Sequence, residues 1–231
     1  MTAAPQSPAA ALWPAKTPGA IQLYSYPTPN GVKVSLMLEE TGLPYDAHLV
    51  DFAKGDQKTP AFLSVNPNGK IPAIYDPEGP DGQPVNLFES GAILLYLAEK
   101  SGKFLPVGKK WQITQWLMFQ MAGIGPMFGQ FGFFHHYAGK AVEDPLPRER
   151  YRTEAARLLT VLDGALEGRD WIAGEYSIAD MAIGPWLHGM MHHYKGAEAV
   201  GWGDLKNVPA YYDRFMARPA VQRALNIPAV R

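Results

Sequence analysis

Three short segments of the chain carry side chains that could bind or activate a small molecule. The first is Thr28-Pro29-Asn30-Gly31, a turn between a β-prone run and a helix-compatible one. The N–H groups and positive dipole end of a helix favour an anion at such a place. Thr28 offers a hydroxyl donor and Asn30 an amide donor, and hydrogen bonds to its charged form would lower the pKa of a bound thiol. The commoner use of these residues is structural, a plain turn with Asn30 as helix N-cap. The second segment, NPNGKIPAI from Asn66 to Ile74, places Pro72 directly after Ile71 where a strand should begin. Proline cannot donate to a sheet ladder, so it belongs at a strand's first position or in a turn, cis or trans. An unpaired edge here would suit an extended peptide, and an ordinary strand entry reads the same way. The third, FESGAILLYLAEK from Phe88 to Lys100, puts Glu89 and Ser90 where a strand gives way to a helix. Ser90 is a natural N-cap, the N–H groups beside it would hold a carboxylate, and Glu89 would accept from an ammonium group or simply favour the helix dipole.

None of this chemistry can draw on a thiol of the protein. The 231 residues include 0 cysteines, so any sulfur chemistry must use the substrate's own thiol. With 21 Lys and Arg against 22 Asp and Glu, the net charge of -1 gives no electrostatic footprint for nucleic acid or an anionic membrane. His188 and His192 are spaced i, i+4 and could chelate a metal, but no acid stands between them in HGMMH, and packing or surface roles fit them better, as they fit His135 and His136. Ser177 to Asp180 in YSIADMAIGPWL is a capping-box variant and is read as structural. The aromatic and Met-rich stretch from Trp111 to Tyr137 suits a helix that is part core and part pocket lining, bent at Gly123, Gly125 and Pro126.

The elements that would position these residues change character along the chain. Residues 1–20 are Ala- and Pro-rich and read as an extended arm, with Trp13 suited to anchoring on a neighbour. Neither a signal peptide nor a membrane span is recognisable, which points to the cytoplasm. Strands are expected at 21–25, 45–50, 71–75 and 85–88, helices at 32–40 and 89–100, and a short turn at 60–63. A parallel pair with one helical crossover is the economical arrangement for the first strand, helix and strand. Beyond residue 106 strand signals stop, and helices are expected near 109–135, 147–167, 178–193 and 209–217. The first part is α/β and the second all α, giving domains at 21–103 and 104–231 after the arm.

The order of TPNGxKVSLMLEE, GDQKTPxFLSVNPNGKIPAI, LFESGAILLYLAEK and YSIADMAIGPW resembles the cytosolic glutathione transferases, in particular the bacterial nu class and its fungal prion-like relatives. The resemblance runs from about Ile21 to Pro219. It implies a thioredoxin-like N-terminal domain, an all-helical C-terminal domain, a homodimer, and glutathione as substrate with no metal. It further implies that Asn30 and Thr28 lie nearest the glutathione sulfur, with Ser25 and Tyr26 as reserves near the end of the first strand, where other classes supply a catalytic tyrosine. Ile71 before a cis Pro72 would pair with the cysteinyl part, Glu89 and Ser90 would bind the γ-glutamyl end, and Gln57 and Lys70 would add contacts. Arg150 would reach the neighbouring subunit's ligand. The implied activity is glutathione-dependent disulfide reduction with some transferase or peroxidase activity, two glutathiones or one glutathione disulfide filling each site. The alternative is a non-catalytic glutathione-binding or regulatory protein on the same scaffold.

Overall fold

A computed structural model of the chain describes residues 6–230, and these divide into two compact units. The first runs to Lys103 and regains the chain from Pro219 onward; the second is Phe104–Arg218. The return of the last segment moves 219 and beyond out of the helical domain in which sequence had placed them.

In the first unit, β1 (Ile21–Ser25), α1 (Pro29–Thr41) and β2 (Tyr45–Leu49) form the expected parallel crossover, Ile21 lying opposite Tyr45. A short helix, α2 (Pro60–Leu63), precedes β3 (Ala73–Asp76), β4 (Val85–Phe88) and α3 (Ser90–Ser101). Strand order is β2-β1-β3-β4, with β3 antiparallel to both its neighbours. This is the thioredoxin-like arrangement. Helix α1 starts at a Thr cap with Pro29 in its first turn and stops at Gly42, whose φ of 74° lets its N–H return to the Leu38 carbonyl. It is buried from Gly31 to Leu38 because it packs on α3 and on α9 (Pro219–Ala224), so its apolar residues are not confined to one stripe.

One face of the sheet presents Tyr24, Ala73 and Tyr75 to Phe62 of α2 and to Ala9 and Trp13 of the arm. The arm is therefore not extended, and Trp13 is anchored on its own chain. Residues 8–13 coil into turns, the Trp13 indole donates to the Leu49 carbonyl at 3.1 Å, and its ring meets Tyr24 and Phe62. Burying so large a ring on an otherwise open sheet face outweighs the extended preference of a Pro-rich segment. Asp46 completes the attachment, accepting from the backbone N–H groups of Lys16 and Thr17, the Thr17 hydroxyl and the Gln22 amide. Residues 1–5 of the expected arm lie outside the described residues.

The second unit is helical: α4 (Lys110–Phe119), α5 (Gly125–His135), α6 (Pro145–Ala165), α7 (Ile178–His188) and α8 (Val208–Met216). A π-helical turn over Gln120–Ile124 joins α4 to α5 where Gly123 and Gly125 were expected to bend the helix. Every residue from Ile178 to Leu187 is buried, and α7 packs against both α4 and α8. No helix among the described residues is long and apolar enough to cross a membrane.

Candidate functional site

Sheet register brings the three chemical segments together. Tyr24 lies opposite Ala73, and Ala73 opposite Phe88. The chain leaving β1, the chain entering β3 and the chain leaving β4 consequently meet at one end of the sheet, carrying Thr28–Gly31, Asn66–Pro72 and Glu89–Ser90.

Thr28 opens α1 with an extended backbone, and its Oγ1 accepts from the Gly31 N–H at 3.3 Å. The N-cap is Thr28 and not Asn30, which is the second residue of the helix. A hydroxyl that accepts from a backbone N–H still has its own proton to donate, so capping and ligand binding are compatible at Thr28. A Cβ at Gly31 would run into the Tyr26 carbonyl oxygen and the Ser25 hydroxyl, so only glycine lets the helix start so close to the end of β1. Of the neighbouring hydroxyls, Ser25 is buried and points to the Tyr26 carbonyl at 3.4 Å, while Tyr26 stacks on Phe52 with ring centroids 4.7 Å apart. Tyr24 is fully buried, donates to the Ser7 hydroxyl at 2.6 Å and stacks on His48. Burial pushes its hydroxyl above the usual tyrosine range, against the opposing bond to Ser7.

The loop before β3 is shaped by Asn66, whose Oδ1 accepts from the Asn68 N–H at 2.9 Å and whose Nδ2 donates to the Lys70 carbonyl. Asn86 of β4 ties the same loop down through the Val65 carbonyl at 2.9 Å. The Ile71–Pro72 peptide bond is cis, and pairing with β1 begins only at Ala73, so the main chain of Ile71 lies beyond the paired register. Lys70 is exposed. Gln57 sits in a 3-10 turn over Asp56–Lys58 whose backbone closes on the loop, since a Cβ on Gly69 would lie 3.2 Å from the Gln57 carbonyl oxygen. The side-chain Oε1 of Gln57 is buried with no hydrogen-bond partner among the described residues, an acceptor that a ligand N–H would satisfy.

Glu89 holds φ 69° and ψ 112°, a strained conformation for a residue with a Cβ. It turns the chain from β4 into α3 and leaves its carboxylate exposed, making no capping bond. Ser90, expected to cap α3, is instead its first residue and is buried. Beneath it lies Lys33 of α1, only 1% exposed, whose Nζ donates to Ser90 Oγ at 3.3 Å. Burial pulls the Lys33 ammonium down to about 7, with the charge of Glu89 acting in the opposite direction.

Residues 28–100 match the glutathione S-transferase N-terminal domain and residues 126–219 the C-terminal domain of the same family. The chain belongs to the glutathione S-transferase family. It is 45% identical over 209 residues to the disulfide-bond oxidoreductase YfcG of Escherichia coli, covering 89% of this chain and 94% of that one. Among solved structures, a glutathione transferase from Pseudomonas putida with one glutathione disulfide bound per subunit is 57% identical, with a TM-score of 0.95 over 96% of this chain and 98% of its own. Another, from Burkholderia graminis with two glutathione molecules bound per subunit, is 55% identical, with a TM-score of 0.98 over 100% of this chain and 98% of its own.

In this transferase Thr28, Asn30, Gln57, Lys70, Ile71, Pro72, Glu89 and Ser90 all belong to the first unit, around one end of its sheet. Arg150 does not: it is exposed on α6 in the second unit, where the hydrogen bond from Arg157 chiefly lowers the Glu154 carboxylate and the charge of Arg150 adds to it. His188 and His192 both reach the Tyr212 hydroxyl, at 3.0 and 3.1 Å, as a packed cluster. Among the described residues no group of three or more histidines and carboxylates converges as a metal site would require. Two residues beside these segments escaped the sequence reading. Asn66 reads as one more loop residue, while Lys33 could have been noticed as a charge inside the apolar run VKVSLML.

Proposed function

We propose that this chain is a glutathione-dependent disulfide-bond oxidoreductase that uses the ligand's own sulfur. The observation that carries the reading is the convergence of a capped helix start, a strand entry beyond its paired register and a second helix start, in a protein with 0 cysteines. The Thr28 hydroxyl and the Asn30 amide stabilise a glutathione thiolate at the start of α1, where the dipole also favours an anion. The main chain of Ile71 beside Pro72 pairs with the cysteinyl part of the tripeptide. Glu89 takes the γ-glutamyl ammonium, Ser90 and the N–H groups of α3 take the carboxylate, and Gln57 and Lys70 add contacts.

Reduction proceeds by two thiol–disulfide exchanges. The first thiolate attacks one sulfur of the substrate disulfide; its S–S bond breaks, and the departing thiolate takes up a proton. A second glutathione thiolate attacks the glutathionyl sulfur of the mixed disulfide, releasing the other substrate thiol and leaving glutathione disulfide. The substrate gains two electrons and two protons, both supplied by two glutathiones. The relatives crystallised with two glutathiones or with one glutathione disulfide per subunit support a site of that capacity. The working form is taken to be a cytoplasmic homodimer, with Arg150 reaching the ligand of the neighbouring subunit.

The test is reduction of 2-hydroxyethyl disulfide by glutathione, coupled to glutathione reductase and NADPH, with the wild type and Asn30→Ala side by side. Turnover by the wild type and a loss of about tenfold or more in the variant, equivalent to about 1.4 kcal/mol of transition-state stabilisation, is the expected result. An inactive wild type that still binds glutathione would replace this reading with a binding or regulatory one.

A further inference from the structure

We propose that the cleft between the N-terminal arm and the ends of β1 and β3 binds a small monocarboxylic acid with an apolar body, received by the Tyr75 hydroxyl, the Ser7 hydroxyl and the Lys16 ammonium. This is a second site, at the opposite end of the sheet from the glutathione segments.

The cleft follows from how the arm is attached. Trp13 and Asp46 hold the arm against the sheet, and between arm and strands there remains a space of about 460 Å³, within the range of small-molecule sites. Ala10, Pro14, Pro18 and Pro77 give it apolar walls, and β1 and β3 contribute Gln22 and Tyr75, which lie opposite each other in the strand register. Its position separates it from the glutathione segments. Ala20 and Gln22 stand at the beginning of β1, whereas Thr28–Gly31 follows the end of that strand. Tyr75 and Pro77 stand at the end of β3, whereas Ile71 and Pro72 precede it.

The polar groups lining the cleft decide what it would take. Tyr75 is only 6% exposed, and its hydroxyl has no hydrogen-bond partner among the described residues. A phenol buried in that state is destabilising, and a ligand acceptor would relieve it. Burial and the charge of Asp76 push the Tyr75 hydroxyl above the usual tyrosine range, so it keeps its proton to donate. Ser7 Oγ already accepts twice, from the Ala9 N–H at 3.1 Å and from the Tyr24 hydroxyl at 2.6 Å. Tyr24 is fully buried with no other acceptor among the described residues, which fixes the direction of that bond. Ser7 is left with its own proton to offer. The charges of Tyr24 and Tyr75 would interact, which places the Tyr75 and Ser7 hydroxyls in the same part of the cleft. Gln22 is already engaged: its amide donates to the Ala20 carbonyl and to Asp46, and its Oε1 meets His48. At the rim the Lys16 ammonium is exposed and makes no ion pair among the described residues.

Two hydroxyl protons and one ammonium around apolar walls match a single carboxylate on an apolar body. A more highly charged anion fits less well. No aspartate or glutamate lines the cleft, but Glu78 stands beside it, 3.1 Å from where a Cβ on Gly19 would lie. Asp46 lies behind the arm, already filled by the N–H groups of Lys16 and Thr17.

The test is titration of the isotope-labelled full chain with 4-phenylbutanoate, followed by amide NMR shifts. Lys16, Thr17 and Gln22 report on the cleft, and Gly31 and Ser90 on the glutathione segments. The expected result is saturable shifts of the first set with a Kd below about 1 mM, and binding of the neutral 4-phenylbutanamide about tenfold weaker. Tyr75→Phe removes the donor but keeps the ring, and should weaken the acid by about tenfold. Lys16→Met should weaken it by about threefold, a difference that closes as salt is raised. Ala15→Trp, which fills the cleft from an exposed position, should abolish the shifts. Shifts confined to Gly31 and Ser90, no saturation by about 10 mM, or binding by Tyr75→Phe within twofold of the wild type overturns the proposal. Equal binding of acid and amide overturns it as well, since the cleft would then have no carboxylate site.

Discussion

At the scale of single residues, Thr28 does two jobs at one helix start, since its oxygen caps α1 by accepting from the Gly31 N–H and its hydroxyl still has a proton to donate. Thr28, Glu89 and Ser90 stand at strand-to-helix junctions that periodicity alone marks, and Pro72 announces its strand entry. The exact cap was not legible, because Thr28 and Asn30 are both good N-caps and only the folded backbone, in which Thr28 is extended and its hydroxyl accepts from the Gly31 N–H, shows which one starts the helix. Lys33 was hidden for the opposite reason: a lysine in a helix is ordinarily solvated, and its burial depends on α3 and α9 closing over α1. The double duty of Thr28 can be separated experimentally. Thr28→Val loses both cap and donor, and should lower stability by about 1 kcal/mol and kcat/KM for disulfide reduction by about tenfold. Thr28→Ser keeps both hydroxyl functions and should restore most of each. A valine variant that loses stability but keeps full activity would reduce Thr28 to a cap.

At the scale of elements, strands and helices followed from sequence closely, because each carries its own period and its own stop signal. The arm did not, since its structure depends on a sheet face that only the folded domain provides. Asp46 is the residue that joins the two. Burial would raise its carboxyl, but the bonds from Thr17, Lys16 and Gln22 prevail and hold it below the usual carboxylate range. Asp46→Ala should release the arm, making tryptic cleavage after Lys16 at least about tenfold faster while the rest of the unit stays folded; an unchanged cleavage rate would mean that Trp13 alone holds it. Asp180 in the second unit was read as half of a capping box, and the structure gives it more to do. Besides the Ser177 N–H at 2.9 Å it accepts from the Ile172 N–H and the Tyr211 hydroxyl, each at 3.0 Å. Asp180→Ala would leave several buried donors unsatisfied, so its loss should exceed that of a cap alone, at about 3 kcal/mol by chemical denaturation. A change under about 1 kcal/mol would return it to an ordinary cap.

At the scale of the whole molecule, the buried titratable groups set how stability follows pH, and their directions can be combined. Burial lowers His48 and His188 to about 4, so from the unfolded value near 6.5 down to 4 the unfolded chain binds more protons, and acid weakens the fold. Asp180 acts the other way: burial raises it to about 6, so between roughly 4 and 6 the folded chain holds the extra proton and part of that loss is offset. Above neutrality Lys33 dominates. The penalty of burying its ammonium is fully present below about 7 and is relieved as pH climbs toward its unfolded value, so stability rises on the alkaline side. Beyond about 10 the tyrosines reverse the trend, because burial has raised Tyr194 and Tyr212 to about 12 and the unfolded chain loses those protons first. The unfolding midpoint in urea should therefore be highest between about pH 8 and 10, above the neutral region where most proteins peak. Lys33→Met should raise stability at pH 6 to 7, by up to a few kcal/mol less whatever the lost bond to Ser90 contributes, and the gain should vanish near pH 10. A gain that is the same at pH 6.5 and pH 10 would mean that methionine improves packing and that Lys33 does not titrate in the fold.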